Sequence, residues 1–390
     1  MDRHDKPERL MSLDALRGAD MLFIMGFSGV VVEICAFLGF GKDCWLAAQM
    51  SHVPWHGLHH HDTIFPLFLF LAGVSWPFSF SRQKEKGYTA ARMLRKIFRR
   101  ALVLSLVGLM WSGLFSFNVA RYRWDSVLAH IGWCWAAAAV LHMFVRSWKT
   151  RLAVVAFLLV AHWLVLGLFT APDASALMYS ADAAISGKVA SYADYGTDGF
   201  SFIGNLAGWI DRRFMPGRLH EGIFDPDGLF AKLTGTAMAM LGVFAGEVLI
   251  RKDISGKRSV LVLFLFAVLS LVLCLAWMPW CPVNKKLWTS TFVLGVGAYS
   301  FMMLAVFHWL IDVKGWRKWS FAFRVIGMNA IAIYVLRRVV SLRNISEFFL
   351  SGVASWGGEH WHALVIAVGE VAVGWLILLF LYRKKVFFKV

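Results

Sequence analysis

The chain has 390 residues, is 59% hydrophobic and only 16% charged, and has a mean hydropathy of +0.61. A soluble domain carries about 25% charged residues, so this composition excludes an ordinary soluble enzyme and predicts an all-α, polytopic membrane helical bundle. The formal net charge is +16. No aromatic–basic module of the kind that binds nucleic acid is present, so the charge calls for a topological explanation.

Residues 1–10 are charged, and Arg17 and Asp20 interrupt the apolar run behind them. No small-residue cleavage site follows, so the segment does not read as a secretory signal. Apolar runs predict about ten transmembrane helices, near 14–32, 63–81, 101–117, 126–145, 152–170, 233–250, 259–279, 289–311, 325–336 and 363–382. Each is long enough to cross ~30 Å of hydrocarbon, the ninth only with its flanks. Ten spans put both termini on one side. The loops on that side (1–13, 82–100, 146–151, 251–258, 312–324 and 383–389) hold 26 Lys and Arg in 66 residues. The opposite loops hold 13 in 135. This asymmetry predicts that both termini are cytoplasmic, and it accounts for the basic balance.

The whole of 1–390 reads as one transmembrane domain with two long outer loops, 33–62 and 171–232. The second contains Gly-Trp-Ile-Asp-Arg-Arg at 208–213 and Phe-Asp-Pro-Asp-Gly at 224–228, a turn signal before an apolar helix. Its Trp and Tyr content predicts an ordered cap over the bundle. Five cysteines (35, 44, 134, 274 and 281) form no C-x-x-C pair and no zinc spacing. Three of them fall on the outer side, where one disulfide is open to them. No inverted repeat is visible, which weighs against a secondary transporter.

Three places can carry chemistry. Asp14, Arg17 and Asp20 are spaced i, i+3, i+6 along one face at the inner end of the first helix. At membrane depth each charge costs roughly 2.5–3.5 kcal/mol, so they form either a structural ion triplet or a polar floor for a ligand from the cytoplasm. Basic residues of the next inner loop, from Arg82 to Arg100, face either anionic lipid or phosphates.

The third place is 52–62, where five histidines and Asp62 precede a membrane-length helix. A neutral imidazole accepts protons near pH 7. Asp62 in reach of His52 would fix its tautomer, and Asp62 can also cap the helix. The plainer reading of His52 is a solvated loop histidine. A zinc or nickel site is the alternative, but the spacing matches no strict metal signature and no metal is assigned. Trp288 reads either as part of an outer sugar site, with Lys285 and Lys286, or as a belt residue. Asn329 inside the ninth helix reads as packing glue or as a site residue.

These segments together carry a resemblance. Ser12-Leu13-Asp14-Ala15-Leu16-Arg17-Gly18 resembles the opening of the heparan-α-glucosaminide N-acetyltransferase family, within the wider transmembrane acyltransferases. His52-x-x-Trp55-x-Gly57-Leu58, with Asp62 and Ile64-Phe65-Pro66-Leu67-Phe68, is similar to its central motif. The segments 208–212, 224–228, 287–290 and 326–329 are similar to further ones, in order.

The resemblance implies a bundle that takes acetyl-CoA from the cytoplasm and passes the acetyl group to the amine of a glucosamine-type sugar outside. It puts the catalytic role on His52, with Asp62 beside it. Trp55, His56, Asp211, Asp225, Asp227, Lys286, Trp288 and Asn329 would then form the acceptor side, and Asp14, Arg17 and Asp20 the donor side. The chain departs from the family at His56 (often Asn), Gly26 (near an assisting Asn), His130 (Arg) and Ala231-Lys232-Leu233 (Thr-Ile-Pro). The implied setting is a bacterial inner membrane, with lipid and an amino sugar or oligosaccharide as partners and room for a homodimer. The pantetheine arm would thread between helices, where Gly26, Gly29, Gly73 and Ser75 are small. Transport of amino sugars and O-acetylation of a periplasmic glycan stand as alternatives.

Overall fold

A computed structural model describes residues 10–388. The charged stretch 1–9, counted among the inner-side residues above, lies outside them. Eight helices among the described residues are long and apolar enough to cross a membrane. They are α1 (Met11–Phe37), α2 (His60–Glu85), α4 (Val127–Phe144), α5 (Trp148–Leu168), α6 (Ala231–Ile250), α7 (Gly256–Trp277), α8 (Ser290–Val313) and α12 (Glu359–Arg383). Between them stand α3 (Ala90–Trp111), the pair α9 (Phe321–Gly327) and α10 (Ala330–Val339), and α11 (Leu342–Ala354). There are no strands among the described residues, only two isolated bridges. The chain is a polytopic helical bundle.

The sequence pattern explains the ways the helices depart from the predicted spans. α3 begins eleven residues before the predicted 101, because Thr89 caps it by accepting from Arg92 N. Met93, Ile97, Ala101 and Leu104 then recur at helical spacing on a buried face, so the expected inner loop 82–100 is mostly helix. The ninth predicted span is broken at Met328–Asn329 into α9 and α10. α11 falls where an outer loop was expected, because an amphipathic helix gives no long apolar run.

α2 is the axis of the molecule. It packs most extensively on α6, and also on α4, α8 and α1. A Cβ added to Gly73 would meet Ala239 O at 2.1 Å, and one on Gly242 would meet Phe70 O at 2.0 Å. These glycines therefore allow α2 and α6 to pack backbone to backbone, as small residues do in membrane bundles. Gly73 consequently lines no passage. Gly26 sits in a π-turn of α1 at φ +132°, where Arg337 donates to the carbonyl of Ile24 and pairs with Glu370 at 2.6 Å.

The segment 171–232 is an ordered cap with short helices at 174–178, 183–191 and 206–214. Trp55, Phe202, Phe224, Ile203 and Leu287 form its core. All five cysteines are free thiols, so the disulfide open to the outer three is not formed.

Candidate active site

The histidine-rich segment is built onto the start of α2 by backbone hydrogen bonds. His60 N donates to Gln49 Oε1 and His61 N to Gln49 O, each at 3.0 Å. His59 N donates to Asp62 Oδ2 at 3.0 Å and Val53 N at 3.3 Å, so one carboxylate oxygen caps the helix. The other oxygen lies 2.8 Å from His52 Nδ1. Asp62 therefore caps the helix and lies within hydrogen-bond reach of His52. The Asp62 side chain is 1% exposed and that of His52 is 53% exposed, which gives the dyad a buried anchor and an accessible ring.

A third charged group completes the cluster. Lys285 Nζ stands 2.9 Å from His52 Nδ1, 3.4 Å from His52 Nε2 and 3.3 Å from Asp62 Oδ1. Burial pushes its ammonium below the ordinary lysine range, against the pull of Asp62. By sequence Lys285 and Lys286 both fall near an outer sugar site, and the resemblance puts Lys286 on the acceptor side. Lys286 instead turns into the cap, bonded to Glu221 at 2.8 Å and to Tyr192 Oη at 2.7 Å. Adjacency in sequence concealed this divergence.

The other histidines take separate partners. His59 Nδ1 meets Ser51 O at 3.1 Å, His60 Nε2 meets Tyr299 Oη at 3.2 Å, and His61 Nδ1 meets Ser28 Oγ at 3.3 Å. Among the described residues no three metal-ligating side chains converge.

Several expected acceptor residues lie elsewhere. Trp55 is 1% exposed and donates to Phe200 O at 2.9 Å, so its ring is cap core rather than a sugar platform. Trp288, also 1% exposed, stacks on His130 with ring centroids 4.6 Å apart. Asn329 is bound at the other end of the bundle, donating to Val386 O at 3.0 Å and accepting from Phe388 N at 3.1 Å. Its amide ties the C-terminal segment to the α9–α10 break. His56 stays near the rim, 3.4 Å from Asn284 Nδ2 and edge-on to Tyr195.

The three aspartates form a buried frame behind the rim. Arg123 donates to both oxygens of Asp225 at 2.6 and 2.7 Å and to Asp227 at 2.6 Å. Asp211 accepts from Asp225 N and Leu229 N, each at 3.1 Å, and burial pushes its carboxyl up to about 7. Lys232 pairs with Asp125. The Asp-Pro-Asp-Gly turn is thus a structural clamp on the cap, and none of the three carboxylates makes a hydrogen bond or ion pair with His52.

At the opposite end of α2 lies a cavity of about 800 Å³. Arg17, Arg82, Lys86, Lys96, Arg99 and Arg100 line it, with Asp14, Ser75, Tyr88 and Trp135. Arg17 donates to Ser75 Oγ at 3.3 Å and lies 3.6 Å from Asp14 Oδ1. Asp20 is not among its walls, and among the described residues its buried Oδ2 has no hydrogen-bond partner, so it does not join Asp14 and Arg17 in the expected triplet. Among the described residues, six cations around one acid suit an anionic ligand of several phosphates. Ser75 is thirteen residues from Asp62, about 20 Å along the axis at ~1.5 Å per residue.

Fold and site together define a polytopic helical membrane protein with a His–Asp pair at one end and a basic cavity at the other. No family model matches the chain. It is 26% identical to the heparan-alpha-glucosaminide N-acetyltransferase of Mus musculus over 434 aligned positions, covering 99% of this chain and 62% of that protein. The protein of the same name from Homo sapiens is 26% identical over 431 positions, covering 98% and 60%. The chain therefore spans about three-fifths of the length of these curated relatives. The similarity to these two heparan-alpha-glucosaminide N-acetyltransferases runs over nearly the whole of this chain.

Proposed function

We propose that this protein is a membrane acetyltransferase that moves an acetyl group from acetyl-CoA, entering from the cytoplasm, to the amine of a glucosamine-type sugar on the outer side. The carrying observation is the 2.8 Å pair of half-exposed His52 with buried Asp62. A thioester is already activated, so the catalyst must deliver a neutral amine and manage one proton. His52 takes the amine proton as general base, or attacks first as a nucleophile. Asp62, held by the backbone of Val53 and His59, fixes the ring and favours its protonated form.

The basic cavity is the entry for the donor. Arg82, Lys86, Lys96, Arg99 and Arg100 would hold its phosphates, and Arg17 with Ser75 stands where the arm leaves the cavity. Farther out, Asp20 Oδ2, His60 Nδ1 and Ser300 Oγ are buried polar atoms with no hydrogen-bond partner among the described residues. A chain of amides passing between α1, α2 and α8 would meet them. The names of the two relatives support the acetyl group and the glucosaminide acceptor. The setting proposed is an inner membrane with both ends of the chain cytoplasmic, supported by the charge asymmetry of the loops.

Purified protein, labelled acetyl-CoA and a panel of amino sugars test this. Wild type is expected to label a glucosamine-type sugar, and His52→Ala is not. Accumulation of sugar without acetyl-CoA would instead identify a transporter, and label on a hydroxyl an O-acetyltransferase.

A further inference from the structure

The acid–base reading leaves one charge at the rim without work. Lys285 comes from a turn before α8 that the sequence makes rigid. Asn284 Oδ1 accepts from Leu287 N at 2.9 Å, Thr289 Oγ1 accepts from Asn284 N at 2.9 Å, and Trp288 adopts φ +50°. Gly57 N donates to Val283 O at 2.8 Å, tying this turn to the segment that carries His52. The backbone that carries Lys285 is therefore tied to the segment that carries His52.

Its position is not that of a simple counter-ion. An ion pair with Asp62 could form away from the ring. Here Nζ lies beside the imidazole, in reach of both nitrogens, with its side chain 21% exposed. A lysine carries three donors and no acceptor. Asp62 takes one, and His52 Nδ1 already faces the same carboxylate oxygen. At least one N–H is left over, and Nζ is 3.4 Å from Nε2, the nitrogen at which an acceptor amine would meet its base. An oxygen that becomes negative next to that amine falls within hydrogen-bond reach of Nζ.

We propose that Lys285 is the oxyanion-stabilising residue of the acyl transfer. This rests on the acetyltransferase reading above. As the acceptor nitrogen bonds to the thioester carbon, the carbonyl π electrons move onto oxygen, and the Lys285 ammonium donates to that oxygen. When the carbonyl re-forms, the C–S bond breaks and its electron pair leaves on sulfur. The proton that His52 took from the amine goes to the thiolate. Amine plus thioester thus become amide plus thiol, with no other reactant. A fixed donor at a developing charge acts without reorganisation, which is why losing one costs about 10²–10³ in kcat.

The test compares wild type with Lys285→Met and Lys285→Arg, using acetyl-CoA and its dithioester analogue, in which the carbonyl oxygen is sulfur and accepts hydrogen bonds poorly. Lys285→Met is expected to lose about 100-fold or more in kcat, with KM for donor and sugar within about threefold of wild type. Lys285→Arg is expected to recover part of the loss. Replacing oxygen by sulfur should slow wild type strongly and Lys285→Met little, because the lost bond is already absent. A purely structural lysine would not produce that difference. Should Lys285→Met fail to fold, Lys285→Leu, which likewise removes the donor, is read in the same two ways. An undiminished kcat, or an equal sulfur effect with and without the lysine, overturns the assignment. A wild-type protein that transfers no acetyl group to any sugar overturns the underlying reading instead.

Discussion

The two ends of α2 are made from opposite materials. At its N-terminal end one buried carboxylate organises everything: Asp62 caps the helix with one oxygen and holds His52 with the other. Its partners are fixed to within hydrogen-bond distance. At the other end, six cations of the described residues line a cavity of about 800 Å³. A site that moves a proton needs fixed geometry. A site that holds a flexible polyanion needs charge and room more than exact angles. The contrast supports the proposal of chemistry at the first end and binding at the second.

That division predicts effects of different kind and size. The largest is expected at the dyad. His52→Ala or Asp62→Asn should lower kcat for acetyl transfer by roughly 10²–10⁴, with modest change in KM, as the loss of general acid–base help does. A large rise in KM with kcat preserved would place His52 in binding instead.

Next comes the frame behind the rim. Arg123 is the shared partner of Asp225 and Asp227, and Asp225 is fully buried. Arg123→Ala leaves two carboxylates uncompensated and should destabilise the protein by about 3–5 kcal/mol. The measurement is thermal unfolding in detergent. An unchanged midpoint would mean that the cap does not depend on this clamp.

The cavity comes third. Arg99→Ala with Arg100→Ala should raise KM for acetyl-CoA by roughly tenfold or more and leave KM for the sugar alone, since each removes a charge-assisted contact. High salt should mimic the change in wild type. An effect on the sugar instead would exchange the roles of the two ends.

The smallest effect is a pH dependence. Burial holds the Asp211 carboxyl up at about 7 in the folded cap. Its unfolded value is about 3.9, so between these values the folded state binds the extra proton. The stabilisation is complete below about pH 4 and is lost as pH rises through about 7. The midpoint of wild type should fall by a few degrees across that range, and that of Asp211→Asn should not. The same slope in both proteins would remove Asp211 as its source.

Much of this was legible in the sequence. The long apolar runs gave all eight apolar spans to within a few residues, because helix length and hydropathy are local properties. The His52–Asp62 pair was legible too, since both residues lie on one short segment whose helix start needs an acid. What escaped was set by packing. Nothing local tells that Lys285 points to His52 while Lys286 turns to Glu221. Nor does sequence tell that Trp55 is buried in the cap or that Asn329 binds the chain near Val386. The basic helix α3 read as a loop because its cations broke the apolar run, although Met93, Ile97 and Ala101 kept the helical period.

Proteoliposomes of uniform orientation test the central claim most directly, with labelled acetyl-CoA and glucosamine supplied on chosen sides. With the donor on the cavity face and the sugar on the His52 face, label should pass to the sugar in wild type and not in His52→Ala. Transfer only when both substrates share one face, or equal transfer by His52→Ala, would contradict the account.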